Sequence, residues 1–341
     1  MSKSTTDSGA TGVGHHNAFS ATLTGILDRF SSTGKIEGPG EDDRLDGRSC
    51  LITGASSGLG KALAVELARR GAHVLMACRS GIPEAGEDVK RASGSQNVEM
   101  LPVDLADLDC VHGLADALRE SGRKLDVVVL NAGLMPAKAY RTKQGFEVMF
   151  GVHFLANRLL IDRLLEDGVI VPRGAREGVS APRIVFVSSE SHRSASPIDF
   201  DRFGEFVDYG IRDGMAQYGH SKLHMCTLAC ELSRRLNPDD EVRVSVHALC
   251  PGPINSNITR DAPGLLKPVL DVVLGLAFQS PAKAAAPVVH LACSRSIEGE
   301  TGLYLHMLRR KDPSPEAMDP RKGALLWEKS RKLLDAHPPR A

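Results

Sequence analysis

The stretch Thr53-Gly54-Ala55-Ser56-Ser57-Gly58-Leu59-Gly60 follows without a break on the apolar run Ser49-Cys50-Leu51-Ile52 and leads into a helical stretch over residues 61–70. A strand, a glycine-rich turn and a helix in immediate succession decide the fold. Glycines at such a turn allow positive φ and let the backbone approach a pyrophosphate closely, with the helix N-terminus facing the anion. A glycine triplet alone says little; at a strand-to-helix junction it becomes informative. The spacing is GxxxGxG rather than GxGxxG.

Outward from this turn, strand-like and helix-like runs alternate. Strands are expected over residues 49–53, 73–78, 98–103, 125–130, 183–188 and 242–249, and helices over 58–70, 108–120, 145–165 and 215–236. Near-continuous hydrophobic strands signal burial on both faces, and repeated alternation signals a parallel sheet with right-handed crossovers. The expected fold class is α/β: a single Rossmann-like, doubly wound parallel sheet with helices on both faces, over residues 47–338. Residues 1–46 read as an extension of disordered tail and linker. Within it, Phe19, Leu23, Ile26, Leu27 and Phe30 share one face of a helix near residues 18–30. That helix either packs back on its own domain or docks a partner, a second protomer or a membrane surface.

Composition removes several classes of function. The 42 basic and 42 acidic residues cancel, so no global charge draws the chain to nucleic acid. No apolar run approaches the roughly 18–20 residues of a transmembrane helix. The N-terminus lacks an apolar run behind Lys3, so no secretory signal is expected. Seven scattered cysteines without CxxC spacing argue against a disulfide scaffold or a zinc ribbon, and no metal site is expected. Cys226 and Cys230 fall four apart on one helix, which reads as core packing. A cytoplasmic protein is the expectation.

In order along the chain stand TGASSGLG at 53–60, Asp104-Leu105, Asn131-Ala132-Gly133, Ser189, Tyr218-Gly219-His220-Ser221-Lys222 and Pro251-Gly252. Together they resemble the short-chain dehydrogenase/reductase family, over roughly residues 48–310. The strand HVLMACRS and the segments GLYLHMLRR and LLWEKSRKLL look most like its retinol-dehydrogenase-like and protochlorophyllide-reductase-like branch. The resemblance implies a nicotinamide dinucleotide held by Gly54, Ser56, Ser57, Gly58, Leu59, Gly60, Arg79, Asp104, Leu105, Asn131, Ala132, Gly133, Tyr218, Lys222, Pro251, Gly252 and Ile254. It implies that Tyr218 exchanges a proton, Ser189 orients the carbonyl or hydroxyl, and Lys222 holds the ribose and tunes the tyrosine. It also implies a homodimer or homotetramer formed through the helices around 145–166 and 215–236.

The residue chemistry agrees with this. Tyr218 and Lys222 are one helical turn apart and share a face. A phenol with a pKa of about 10 is a poor acid or base at neutral pH, and a neighbouring ammonium together with the cationic nicotinamide of an oxidised cofactor is expected to lower that value. At the end of the second strand stands Cys78-Arg79-Ser80, with no carboxylate before Glu84. Arg79 can pair with a 2′-phosphate, each charge-assisted bond contributing roughly 1.5–3 kcal/mol. NADP(H) is therefore expected over NAD(H), which stays open; the plain alternative for Arg79 is a solvated side chain.

Three departures from the family pattern stand out. His153 occupies the place of the catalytic asparagine, whose backbone carbonyl the resemblance would give to a relay water; it either joins the relay or packs in a helix. The interval between Ser189 and Tyr218 is long, and its extra segment is expected as a surface excursion beside the substrate mouth. Pro253 stands where light-driven protochlorophyllide reductases carry a cysteine, which disfavours a light-driven reaction. Residues 258–281, rich in leucine and valine, read either as an apolar substrate lid or as a helix packed on the core or a second subunit. The expected function is alcohol–carbonyl interconversion on a hydrophobic small molecule. The alternatives are reduction of an activated C=C bond and a catalytically weak dinucleotide-binding regulator.

Overall fold

The computed structural model describes residues 34–175, 180–239, 241–253 and 279–338. The helix expected near 18–30, Ile254 and nearly all of the expected lid lie outside them.

The sheet starts at β1 (Ser49–Thr53), and α1 (Gly58–Arg69) crosses to β2 (His73–Cys78). Helix α2 (Glu84–Ser93) leads to β3 (Val98–Pro102), and α3 (Leu108–Glu120) leads to β4 (Val127–Leu130). A π-helical segment, Phe150–Leu155, runs into α4 (Ala156–Glu166), followed by β5 (Arg183–Val187). Helix α5 (Gly214–Leu236) precedes β6 (Ser245–Cys250), and α6 (Pro281–Cys293) precedes the hairpin β7 (Tyr304–His306) and β8 (Arg310–Lys311). A short helix α7 (Pro315–Met318) and α8 (Pro320–Asp335) follow.

Strand order is β3-β2-β1-β4-β5-β6-β7-β8, parallel except for the last pair. Successive strand residues face opposite sides, so one chain text builds two cores. Leu51, Leu75, Val128, Ile184, Phe186 and Val246 pack under α3, α4 and α5. Cys50, Ile52, Val74, Met76, Val129 and Val185 pack under α1, α2 and α6. The doubly wound α/β sheet is the one expected.

Several boundaries differ, each for a local reason. The strand expected from 242 begins at Ser245, because Asn237 Oδ1 accepts from the amides of Arg243 and Val244 and holds them in a turn. The strand expected from 125 begins at Val127, since Leu125 N–H donates to Val169 O instead of to the sheet. The helix expected from 145 starts later. Gly145 has φ +89°, Arg141 and Glu147 form a β-bridge, and the Glu147 carboxylate accepts from the amides of Met149 and Phe150.

The linker expected up to residue 46 is not one in its described part. Ile36 N–H donates to Leu308 O, Leu45 N–H donates to Arg70 O, and the Asp43 carboxylate accepts from Arg295 N–H. Leu45 is buried in the α1-side core. The domain therefore begins ahead of residue 47.

The segment between Ser189 and Tyr218 is more than a surface excursion. It inserts Phe203 edge-on against Phe150, and Tyr209 donates its hydroxyl to Glu147 at 2.9 Å. A cavity of about 220 Å3 lies between this segment and α5, and its lining includes Phe150, Phe203, Gln217 and His220 but not Ser189, Tyr218 or Lys222.

The helices expected to pair with a second copy carry α8 on one flank. The fully buried Arg158 of α4 lies over the Trp327 ring at 3.3 Å, and Arg235 of α5 lies 4.5 Å from the same ring. Among the described residues no helix is long and apolar enough to cross a membrane, and no group of His, Cys, Asp or Glu is placed to hold a metal ion.

Candidate active site

The strand order reverses between β1 and β4, and the ligand crevice of such a sheet opens there, beyond the carboxyl ends of the strands. Two turns meet at this point. Asn131 and Ala132 donate their amides to Thr53 Oγ1 at 3.0 and 3.1 Å, and Asn131 Nδ2 donates to Thr53 O and Gly54 O. Gly54 has φ +67°, and a Cβ there would lie 2.8 Å from Ala132 Cα. A Cβ at Gly60 would lie 2.4 Å from Gly54 O. These close approaches are what a glycine turn is for.

The residues fit a dinucleotide. Gly58 has φ +54°, Ser57 at the N-cap of α1 makes no side-chain cap bond, and no acidic residue stands in the first turn. The first amides of α1 therefore remain donors for a pyrophosphate. Ser56 and Leu59 complete the turn, the latter buried. Arg79 follows β2 directly, with its side chain two-thirds exposed and 4.0 Å from Asp104. Asp104 holds its own loop by accepting from Ala106 N–H, and Leu105 is buried in the core. Pro251 and Gly252 follow β6; Gly252 has φ +84°, and a Cβ there would press on Met307.

Ser189 lies just past β5, accepting from Ser191 N–H at the start of a short 3-10 turn. The Ser189 side chain is the polar neighbour of the Tyr218 phenol and favours its ionised form. Lys222 lies one turn on, its Nζ 5.5 Å from the Tyr218 ring centroid, donating to Val187 O at 3.0 Å and to Met225 Sδ. The three chemistry-bearing residues are thus brought together at one sheet edge.

With the protein's own groups alone, burial dominates at Tyr218 and pushes the phenol up. Burial likewise pulls Lys222 down to about 8. A low-dielectric pocket disfavours both charged forms, so at pH 7 the pair rests as a phenol beside an ammonium not far below its pKa. The expected lowering of the tyrosine pKa by Lys222 together with an oxidised nicotinamide belongs to the cofactor-bound state.

His153 is fully buried and sits edge-on to the Tyr218 ring at 5.8 Å. Its Nε2 accepts from Leu134 N–H at 2.9 Å, and its Nδ1 lies 2.8 Å from Ser221 Oγ. Its backbone carbonyl already accepts from Asn157 Nδ2 at 2.7 Å. Cys226 lies 3.1 Å from Ser188 Oγ, behind Lys222.

Sequence reasoning missed further supports of the site. His192 accepts from Ser314 N–H through Nε2 and meets Ser189 O through Nδ1, which ties the serine to the C-terminal segment. Buried Glu190 accepts from Tyr304 Oη at 2.8 Å and from Arg193 Nε at 3.0 Å. Met307 adopts φ +54° beside Gly252. The only available signal was an unusual density of histidine and glutamate next to Ser189; nothing marked Met307.

A doubly wound sheet with a glycine turn at its switch point and a serine, tyrosine and lysine gathered at its carboxyl edge defines a dinucleotide-dependent oxidoreductase. Comparison with known proteins makes this specific. The family description "short chain dehydrogenase" matches residues 48–198. Dehydrogenase/reductase SDR family member 13 of Bos taurus is 36% identical over 300 residues, covering 86% of this chain and 75% of that protein. Retinol dehydrogenase 13 of Homo sapiens is 33% identical over 307 residues, covering 86% and 87%. An uncharacterised protein of Mycobacterium paratuberculosis superposes with a TM-score of 0.66 at 27% identity, covering 88% of this chain and 98% of that one. The chain belongs to the short-chain dehydrogenase/reductase family and is an oxidoreductase.

Proposed function

We propose that the protein is an NADP(H)-dependent enzyme that interconverts an alcohol and a carbonyl on a hydrophobic small molecule. The observation that carries this reading is the grouping of Ser189, Tyr218 and Lys222 at the carboxyl edge of the sheet, with Lys222 Nζ 5.5 Å from the Tyr218 ring centroid and Ser189 the polar neighbour of the phenol. When bound, the nicotinamide supplies or accepts the hydride. Ser189 holds the substrate oxygen against Tyr218. Tyr218 gives that oxygen a proton, or takes one from it. Lys222, with a pKa near 8, is able both to stabilise the phenolate and to pass a proton on. Arg79, with no carboxylate in the residues that follow it up to Pro83, supports the 2′-phosphate. Apolar, partly buried Leu134 and Met135 follow Gly133 and support an apolar substrate, as do relatives named retinol dehydrogenases.

The test follows NADPH oxidation by absorbance against apolar aldehydes, ketones and enones. Turnover on the aldehydes or ketones is expected, and Tyr218→Phe should lower it by roughly 10²–10⁴-fold, the usual share of general acid–base catalysis, while NADPH still binds. Turnover confined to enones would move the reading to C=C reduction. Full activity of Tyr218→Phe would remove the mechanism.

A further inference from the structure

We propose that His153 is a positioning residue: a neutral imidazole held as the Nδ1–H tautomer, which struts the turn at residues 131–134 against helix α5 and transfers no proton. The proposal rests on the function above for what is positioned, and on separate geometry for how.

A backbone amide can only donate, so the 2.9 Å contact from Leu134 N–H makes His153 Nε2 an acceptor. In a neutral ring the proton then sits on Nδ1 and points at Ser221 Oγ, 2.8 Å away. Ser221 in turn donates to Tyr218 O at 2.8 Å. The chain of bonds runs one way, from the turn beside the glycine loop to the backbone of the tyrosine itself. Each member has one role, and none is left with a proton to spare.

Protonating the ring would set two N–H groups, Nε2 and Leu134, against each other. The charged group facing the imidazole is Lys222, from α5; Ser221, Tyr218 and Asn157 around it are neutral at pH 7. Burial and Lys222 both hold the imidazole well below its ordinary pKa, in agreement with this arrangement. With its ring edge-on to the tyrosine ring, the histidine fixes the place of Tyr218 through both a hydrogen-bond chain and direct packing. Histidine makes both contacts from one rigid ring, because its two nitrogens direct their bonds along diverging lines.

The experiment uses the full chain, with its 12 histidines labelled with 15N in the imidazole and NADPH added. The loss of one signal in His153→Gln and His153→Asn assigns the residue. A signal with protonated Nδ1 and pyridine-like Nε2, unchanged from pH 6 to 9, is expected. His153→Gln keeps an acceptor for Leu134, and His153→Asn keeps a donor for Ser221. Each should lower kcat by about ten- to a hundredfold, the scale of a small misplacement of reacting groups, without moving either limb of the pH–kcat profile. A protonated Nε2, a titration between pH 6 and 9, or a displaced limb in His153→Gln would overturn the proposal. If the unmodified protein turned over nothing, the functional reading would fall while the tautomer still decided this one.

Discussion

The two halves of the sheet are built from different materials. Up to Leu130, the buried polar or charged side chains among the described residues are Asp43, Thr53 and His112. Beyond it they include Glu147, His153, Arg158, Arg183, Glu190, His192, Lys222, His224, Glu231 and His247. The cofactor-side half holds its shape by apolar packing and glycine clearances. The catalytic half relies also on directional bonds between buried polar groups, such as His153 with Ser221, Arg158 with Asp162 and Glu190 with Tyr304, each expensive to leave unmade. Precision at Ser189 and Tyr218 therefore comes with a liability that the glycine turn does not share.

That contrast can be broken most directly at Gly54. Valine there needs a left-handed backbone and places Cβ 2.8 Å from Ala132 Cα. NADPH affinity should fall by at least a hundredfold by calorimetry, with a clear drop in melting temperature; retained binding would show that the two turns can separate. Next come truncations that compare the materials. Leu63→Ala, in the apolar half, should cost about 2–5 kcal/mol from lost burial and a cavity, nearly independent of pH. Glu190→Ala should cost about 1–3 kcal/mol, chiefly by leaving the buried Tyr304 hydroxyl without its acceptor, since Arg193 is partly exposed and keeps its bond to Asp312 O. Urea unfolding measures both, and equal pH dependence of the two losses would blur the distinction.

A smaller effect separates the halves by acid. His192 and His224 are pulled down to about 4 by burial, and His247 to about 3. The unfolded chain then takes up protons first as pH falls below about 6.5, so stability falls from there towards pH 4. Each should cost roughly 1–2 kcal/mol between pH 6.5 and 5. Hydrogen exchange at pH 5 should open the strands after β4 before β1 and β2; the reverse order would contradict the comparison. The smallest change in stability is expected at exposed Arg79. Arg79→Asp should leave the melting temperature unchanged while weakening NADPH about ten- to a hundredfold against NADH. Equal affinity of the unmodified protein for both cofactors would refute that assignment.

The same division explains what could be read from the sequence. The strand at 49–53, the glycine turn and the helix after it were legible because burial and positive φ leave marks in single residues. Ser189, Tyr218 and Lys222 were legible as an ordered motif, but their meeting was not, since it depends on a sheet edge and a helix distant in the chain. His153 was legible only as a departure. Its bonds to Leu134 and Ser221 are set by the π-helical segment at Phe150–Leu155, which no periodicity announced. Residues 34–46 look like a linker by composition, and dock because Leu45 and Asp43 find partners far along the chain. The effect of burial, which pushes the Tyr218 pKa up and the Lys222 pKa down, was also hidden, because spacing gives proximity but not dielectric.

The strand order also has a consequence for how the chain is made. β2 and then β3 add to one side of β1; β4, β5, β6, β7 and β8 add in turn to the other. Each strand leaving the ribosome meets an edge already in place, and none must thread between two earlier ones. Synthesis from the N-terminus thus lays down the nucleotide-side half first, as a growing sheet with one advancing margin. The catalytic helix α5 is different. Its flank is closed by α8, through the Arg158–Trp327–Arg235 contacts, and among the described residues α8 is the helix farthest along the chain. A nascent chain can therefore own its dinucleotide cradle well before it owns a finished catalytic face.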